Sequence, residues 1–229
     1  MHVRETLKDF FWKRKKEYDW KDEIKDWITS FIVVAVIYFL ILPAILGASS
    51  PMVVVSSCSE KGFLNIGDVI IVKGTSIKDI KAPEVQANSL EFTPVFDGKK
   101  FIGVNISGKI ITPNSSNDIV VYYAFPSRTQ IIHRALAKIK VKDKYFLITK
   151  GDANPIPDQI MVYNNTAYSC ITENYGCIST PVTQKMLVGK KIGPRIPIVG
   201  HVKLFFCDIM PFCYGHSNPG TGFKYKLSC

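Results

Sequence analysis

From Trp27 to Ser59 the chain contains no Asp, Glu, Lys or Arg, although it carries 29 basic and 19 acidic residues in 229. A gap of that length excludes an ordinary surface helix. The segment 27-WITSFIVVAVIYFLILPAILGA-48 supplies about 20 apolar residues, which at about 1.5 Å each cross about 30 Å of hydrocarbon. Cysteines number six, and the close pairs Cys170/Cys177 and Cys207/Cys213 lack the short spacing of zinc ligands. They are expected to close two small disulfide loops outside the cytoplasm, with Cys58 and Cys229 unassigned. The formal charge of +10 is not matched by any basic run interleaved with stacking aromatics beyond the N-terminus. Nucleic acid is therefore excluded as a partner, and anionic lipid headgroups fit the scattered charge better.

The flanks of the apolar run are unequal. Lys8, Lys13, Arg14, Lys15, Lys16, Lys21 and Lys25 precede it, whereas residues 51–70 contain only Lys61. This bias places the N-terminus in the cytoplasm and the bulk of the chain on the far side of a cell membrane, as a single-pass protein. Gly47, Ala48, Ser49 and Ser50 are small enough for a processing site, but the apolar run exceeds the usual 7–15 residues of a removable leader, so an uncleaved anchor is expected. Residues 7–27 read as an amphipathic helix at the membrane interface, with Leu7, Phe10, Phe11, Tyr18, Trp20, Ile24 and Trp27 spaced near 3.6. The expected organisation is an interfacial segment at 1–26, an anchor at 27–48 and a β-rich extracytoplasmic domain at 49–229.

Beyond the anchor the pattern becomes that of strands. Runs rich in β-branched and aromatic residues, bounded by Gly, Pro, Asn and Asp, occur at 52–57, 68–74, 101–107, 118–125, 130–141, 144–150, 159–164 and 196–206. The fold class expected is all-β with antiparallel sheets. Residues 75–100 and 165–190 read as weaker strands or loops, and 211–229 as irregular.

Of the four histidines, His133 lies in the long strand run 130–141. In 131-IIHRALA-137, alternation puts Ile131, His133, Ala135 and Ala137 on one face, and Ile132, Arg134 and Leu136 on the other. Asp152 and Asp158 lie in 149-TKGDANPIPDQ-159, a Gly/Pro-stiffened loop able to hold a carboxylate in place. Ser59 follows the anchor closely, and a serine hydroxyl becomes a nucleophile only beside a base that is itself oriented. A core histidine, turn aspartates and a turn serine are the structural alternatives for the same residues.

The blocks 51-PMVVVSSCSEKGFLNIGDVIIVKG-74, 117-NDIVVYYAFPSRTQIIHRALA-137, 149-TKGDANPIPDQ-159 and 195-RIPIVGHVKLFF-206 resemble, in order and spacing, the type I signal peptidases. KGDANPIPDQ and IIHR carry most of the resemblance. Counting back from Gly67 and Asp68 matches Ser59 to the family's nucleophile and Ser57 to the preceding serine; Cys58, Glu60 and Lys61 depart from the pattern. His133 stands where the usual bacterial enzymes have lysine, as in the archaeal and endoplasmic reticulum branch. The resemblance implies a serine endopeptidase that removes signal peptides after small residues at −3 and −1. Ser59 would be its nucleophile, His133 its base, and Asp158 or alternatively Asp152 its orienting carboxylate. Ser57 and the Ser59 N–H would hold the oxyanion. It implies no metal or cofactor. The implied partners are secretory preproteins and membrane lipid, with a translocon or accessory subunits as further candidates. A catalytically inactive anchored homologue that binds or assembles with export machinery is the competing reading.

Overall fold

The structure, a computed structural model, describes residues 20–172 and 176–209. The chain divides into two compact units, residues 1–42 and 43–229. The described part of the first unit is helical: α1 (Trp20–Val36) runs into a π turn at Ile37–Ile41, and α2 (Leu42–Leu46) carries the chain into the second unit. The π turn has a local cause. Pro43 has no N–H to donate to the turn before it, and the Leu42 N–H bonds to the Ile37 carbonyl instead. The whole helix, Trp20–Leu46, is long and apolar enough to cross a membrane. The part of the expected 7–27 helix before Trp20 lies outside the described residues.

The second unit is built mainly of strands, as the runs of β-branched and aromatic residues predicted. In chain order these are β1 (Met52–Val54), β2 (Val69–Lys73), β3 (Glu84–Ala87), β4 (Thr93–Asp97), β5 (Lys100–Ile106), β6 (Lys109–Ile111), β7 (Ile119–Tyr123), β8 (Gln130–Val141), β9 (Lys144–Lys150), β10 (Ile160–Tyr163), β11 (Thr166–Ser169) and β12 (Leu187–Ile196). A seven-stranded sheet has the order β1-β2-β12-β7-β8-β3, with β9 also on β8; β4-β5-β6 and β10-β11 form two smaller sheets. Pairing is antiparallel except between β3 and β8. Buried apolar side chains gather in three clusters, one around Ile106, Ile139 and Ile148, one around Ile70, Val72 and Val121, and one around Val120, Tyr122, Ala135 and Leu147.

Two expectations need correction. Residues 196–206 are not a strand: β12 ends at Ile196, and α3 (Gly200–Ile209) follows. Pro197 removes a ladder donor there, and Gly200 lets α3 start against the β1–β2 connection, its N–H donating to the Gly67 carbonyl at 2.9 Å. A Cβ at Gly200 would meet Val54 Cγ1 at 2.6 Å. Ala137 also leaves the face of His133. A bulge in the β8–β9 ladder between Ala135 and Ala137 shifts the alternation by one, and Ala137 packs in the same cluster as Leu136 and Ile139.

Cys170 and Cys177 form the expected disulfide, with Cα atoms 6.3 Å apart. Cys58 is also disulfide-bonded. The expected Cys207/Cys213 pairing involves Cys213, which lies outside the described residues.

Candidate active site

Ser59 sits on the connection between β1 and β2. Its base is closed by paired backbone bonds, Val55 N–H to Asp68 carbonyl and Gly67 N–H to Val55 carbonyl, both 2.9 Å. Gly67 has φ +83° and no room for a Cβ beneath the His201 ring, so glycine is required at this position. Asp68 accepts from the Asn65 N–H at 2.8 Å and from Arg195 at 2.8 Å. Within the connection, tight turns run from Cys58 to Lys61 and from Glu60 to Leu64. The hydroxyls of Ser57 and Ser59 are 3.1 Å apart.

His133 and Asp158 meet in the interior. His133 Nδ1 lies 2.6 Å from Asp158 Oδ2, with the two residues 4% and 0% exposed. The same carboxylate oxygen accepts from the Tyr122 hydroxyl at 2.7 Å and from Thr149 Oγ1 at 2.6 Å. These donors come from β7, β8 and β9, three adjacent strands. Val120 is opposite His133 across the β7–β8 ladder, so Tyr122, two residues on, shares its face; Ala135 is opposite Thr149 across β8–β9. Gln159 braces the arrangement, donating to Thr149 Oγ1 at 3.1 Å and accepting from the Thr149 N–H at 2.9 Å. Burial and the Asp158 charge push the Tyr122 phenol well up from its ordinary value, so it remains a donor. With Nδ1 donating to a carboxylate, the His133 tautomer leaves Nε2 as the acceptor.

Asp152 goes elsewhere. Its two oxygens accept from Arg134 Nε and Nη2 at 2.8 and 2.7 Å, while Arg134 Nη1 donates to the carbonyls of Ser115 and Asn117, both at 2.8 Å. The hydrogen bonds to Asp152 raise the guanidinium further. Arg134 and Lys191 also lie over the Phe63 ring, 5.0 and 5.6 Å from its centroid. Arg134 thus joins β8, the loop after β9 and the Ser59 connection. Lys150, whose ammonium is lowered by burial, lines a different cleft with Arg134 and Asp152.

Ser59 and His133 share a cleft of about 210 Å³, walled by Val53–Ser57, Glu60, Gln130–His133, Lys203 and Leu204. This is below the about 300 Å³ typical of pockets for drug-sized molecules, and Val, Ile and Leu share its walls with Ser, Glu, Gln, His and Lys. β1 ends the seven-stranded sheet. Gln130–His133 have β7 on one edge, while β9 begins its pairing only at Arg134. Two open strand edges therefore border the cleft among the described residues.

Gly151 makes the close approach possible. A Cβ there would lie 2.8 Å from the Ser59 carbonyl oxygen and 2.9 Å from His133 Nε2. Gly151→Ala is expected to displace the Ser59 turn, the His133 ring or the Asn154 amide and to lower stability; a thermal melt beside hydrogen exchange at the Ala153 amide would check this.

Compared with known proteins, no family model matches the chain. The chain is similar to a signal peptidase subunit. It is 32% identical over 97 residues to the signal peptidase complex catalytic subunit SEC11 of Clavispora lusitaniae, a match covering 42% of this chain and 51% of the relative. The chain thus spans about half the length of the curated relative it matches. This partial, distant similarity supports a relationship to the signal peptidases, and the mostly antiparallel β unit with one N-terminal apolar helix is consistent with a domain of that kind.

Of the residues singled out from sequence, Ser57, Ser59 and His133 line one cleft, Asp158 adjoins His133, and Asp152 pairs with Arg134. Tyr122, Thr149 and Gly151 were not foreseen. Thr149 and Gly151 lie within the TKGDANPIPDQ block, so that block held a signal for them. Nothing local marks Tyr122, which arrives by strand register.

Proposed function

We propose that the chain is a membrane-anchored serine endopeptidase of the Ser-His branch of the type I signal peptidases, removing signal peptides from exported preproteins after small residues at −3 and −1. The observation that carries this reading is the His133–Asp158 pair, buried, with Nε2 turned toward the Gly151 site that Ser59 also approaches. Ser59 Oγ attacks the scissile carbonyl as His133 Nε2 takes its proton. The Ser59 N–H and the Ser57 hydroxyl hold the oxyanion. Collapse forms the Ser59 ester and breaks the C–N bond, the leaving amine taking the proton from His133. Water, deprotonated by His133, then cleaves the ester and frees the signal peptide carboxylate.

An extended substrate adds between the open edges of β1 and Gln130–His133, its small side chains entering the cleft. Residues 1–26 form the cytoplasmic interfacial segment, 27–48 the anchor and 49–229 the extracytoplasmic domain, in keeping with the basic N-terminal flank. Anchoring holds Ser59 and the cleavage site in one thin layer at the membrane, raising their effective concentration. Membrane lipid, a translocon and accessory subunits are further partners under this reading.

Glu60, a buried acid in the wall of the cleft, favours the other reading, an inactive homologue that binds export machinery. Cleavage separates the two. Full-length protein in lipid is expected to cut a signal-peptide-bearing preprotein after a small residue, read by sequencing the product N-terminus, and Ser59→Ala to abolish the cut. No cleavage by folded wild type with native membranes added would favour the binding homologue.

A further inference from the structure

Glu60 is 1% exposed and unused in the proposed chemistry, yet it adjoins the proposed nucleophile. Its Oε1 accepts from the Asp152 N–H at 3.2 Å, and the neighbouring Ser59 carbonyl accepts from the Ala153 N–H at 2.8 Å. Two consecutive residues of the Ser59 turn are therefore tied to two consecutive residues of the loop after β9. That loop also holds Gly151, where the Ser59 carbonyl and His133 Nε2 converge. Glu60 Oε2 is buried and has no hydrogen-bond partner among the described residues.

We propose that Glu60 is a positioning residue, pinning the Ser59 turn against the 151–153 loop so that the nucleophile stays in reach of His133. This rests on the peptidase reading above.

The charged groups around Glu60 determine which form can do this. Asp152 on the loop opposes a second negative charge, Arg134 on β8 favours one, and Lys150 at the end of β9 is near enough for its ammonium to feel the carboxylate. Arg134 already spends its donors on Asp152, Ser115 and Asn117. Burial, with the Asp152 charge adding to it, pushes the Glu60 carboxyl up to about 8. At neutral pH it is therefore an acid, whose Oε2–H can donate to the adjacent Asp152 carboxylate. Above that pH it ionises, leaving two carboxylates in a buried site with one guanidinium, and hydrating the new charge requires the turn to lift from the loop.

The sign follows directly. The neutral form is the competent one, so activity is full below about pH 8 and declines as pH rises through it. Wild-type kcat/KM for preprotein cleavage, measured from pH 6.5 to 9.5, is expected to show an alkaline decline of about tenfold or more. Glu60→Gln keeps a neutral donor at every pH; it is expected to cleave at pH 7 and to lose that decline, whereas Glu60→Leu cleaves more slowly throughout, with kcat reduced more than KM. A flat wild-type profile, or a decline that persists unchanged in Glu60→Gln, overturns the proposal.

A second readout needs no turnover. Protection of the Asp152 and Ala153 amides against hydrogen exchange, corrected for intrinsic exchange, is expected to fall about tenfold from pH 7 to 9.5 in wild type. Unchanged protection overturns the positioning role even if the protein cleaves. Absence of cleavage with the pH-dependent protection intact counts against the peptidase reading alone.

Discussion

Replacing His133 with alanine is expected to lower kcat for preprotein cleavage by on the order of 10⁶, the scale of removing the histidine from a serine triad, with KM little affected. Under the proposed reading His133, which shares the cleft with Ser59, takes its proton; Lys150 lines a separate cleft and donates to the Gly151 carbonyl at 2.9 Å. The variant should still fold, because Tyr122 and Thr149 continue to donate to Asp158. Single-turnover cleavage beside a thermal melt would measure both. Residual activity within tenfold in the alanine variant would exclude His133 as the base.

The second large effect concerns Asp158, and here two substitutions should differ. Asp158→Ala removes both the orienting oxygen and the charge, and is expected to cost about 10⁴ in kcat. Asp158→Asn should cost less. Tyr122, Thr149 and His133 all converge on Oδ2, so an asparagine satisfies all three by placing its carbonyl oxygen there. Its NH₂ then occupies the position of Oδ1, which has no partner among the described residues. Orientation and tautomer survive, and only the charge facing the developing imidazolium is lost. At about 4 Å and an effective dielectric of about 20 that charge is worth about 4 kcal/mol, or about 10³ in rate. Equal losses in the two variants would show that the amide turns its NH₂ toward His133. Little loss in either would exclude Asp158 from the reaction. Asp152→Asn provides a contrast: it weakens the Arg134 clamp without touching the His133 hydrogen bond, so its effect should fall on stability as well as on rate.

The strands at 118–125 and 130–141 were legible from their β-branched and aromatic residues, although their central residues are buried on both faces. The same signal misled at 196–206, where Val and Phe are consistent with strand but Pro197 stops the ladder and Gly200 admits a helix against Gly67. A close backbone approach of that kind depends on residues more than 100 positions apart and leaves only isolated glycines as a local trace.

The sequence by itself determined the long uncharged apolar segment, the all-β class, and the small set of residues from which a site could be drawn: Ser57, Ser59, His133, Asp152 and Asp158. Each follows from local composition or short-range spacing. Tertiary structure decided which aspartate adjoins the histidine. Strand alternation turns His133 and Arg134 to opposite faces of β8, and the loop after β9 delivers Asp158 to one and Asp152 to the other. It also brought Tyr122 and Thr149 onto Asp158 through ladder register, and buried Glu60 beside Asp152, because long-range pairing, unlike composition, determines which polar groups share a space closed to water.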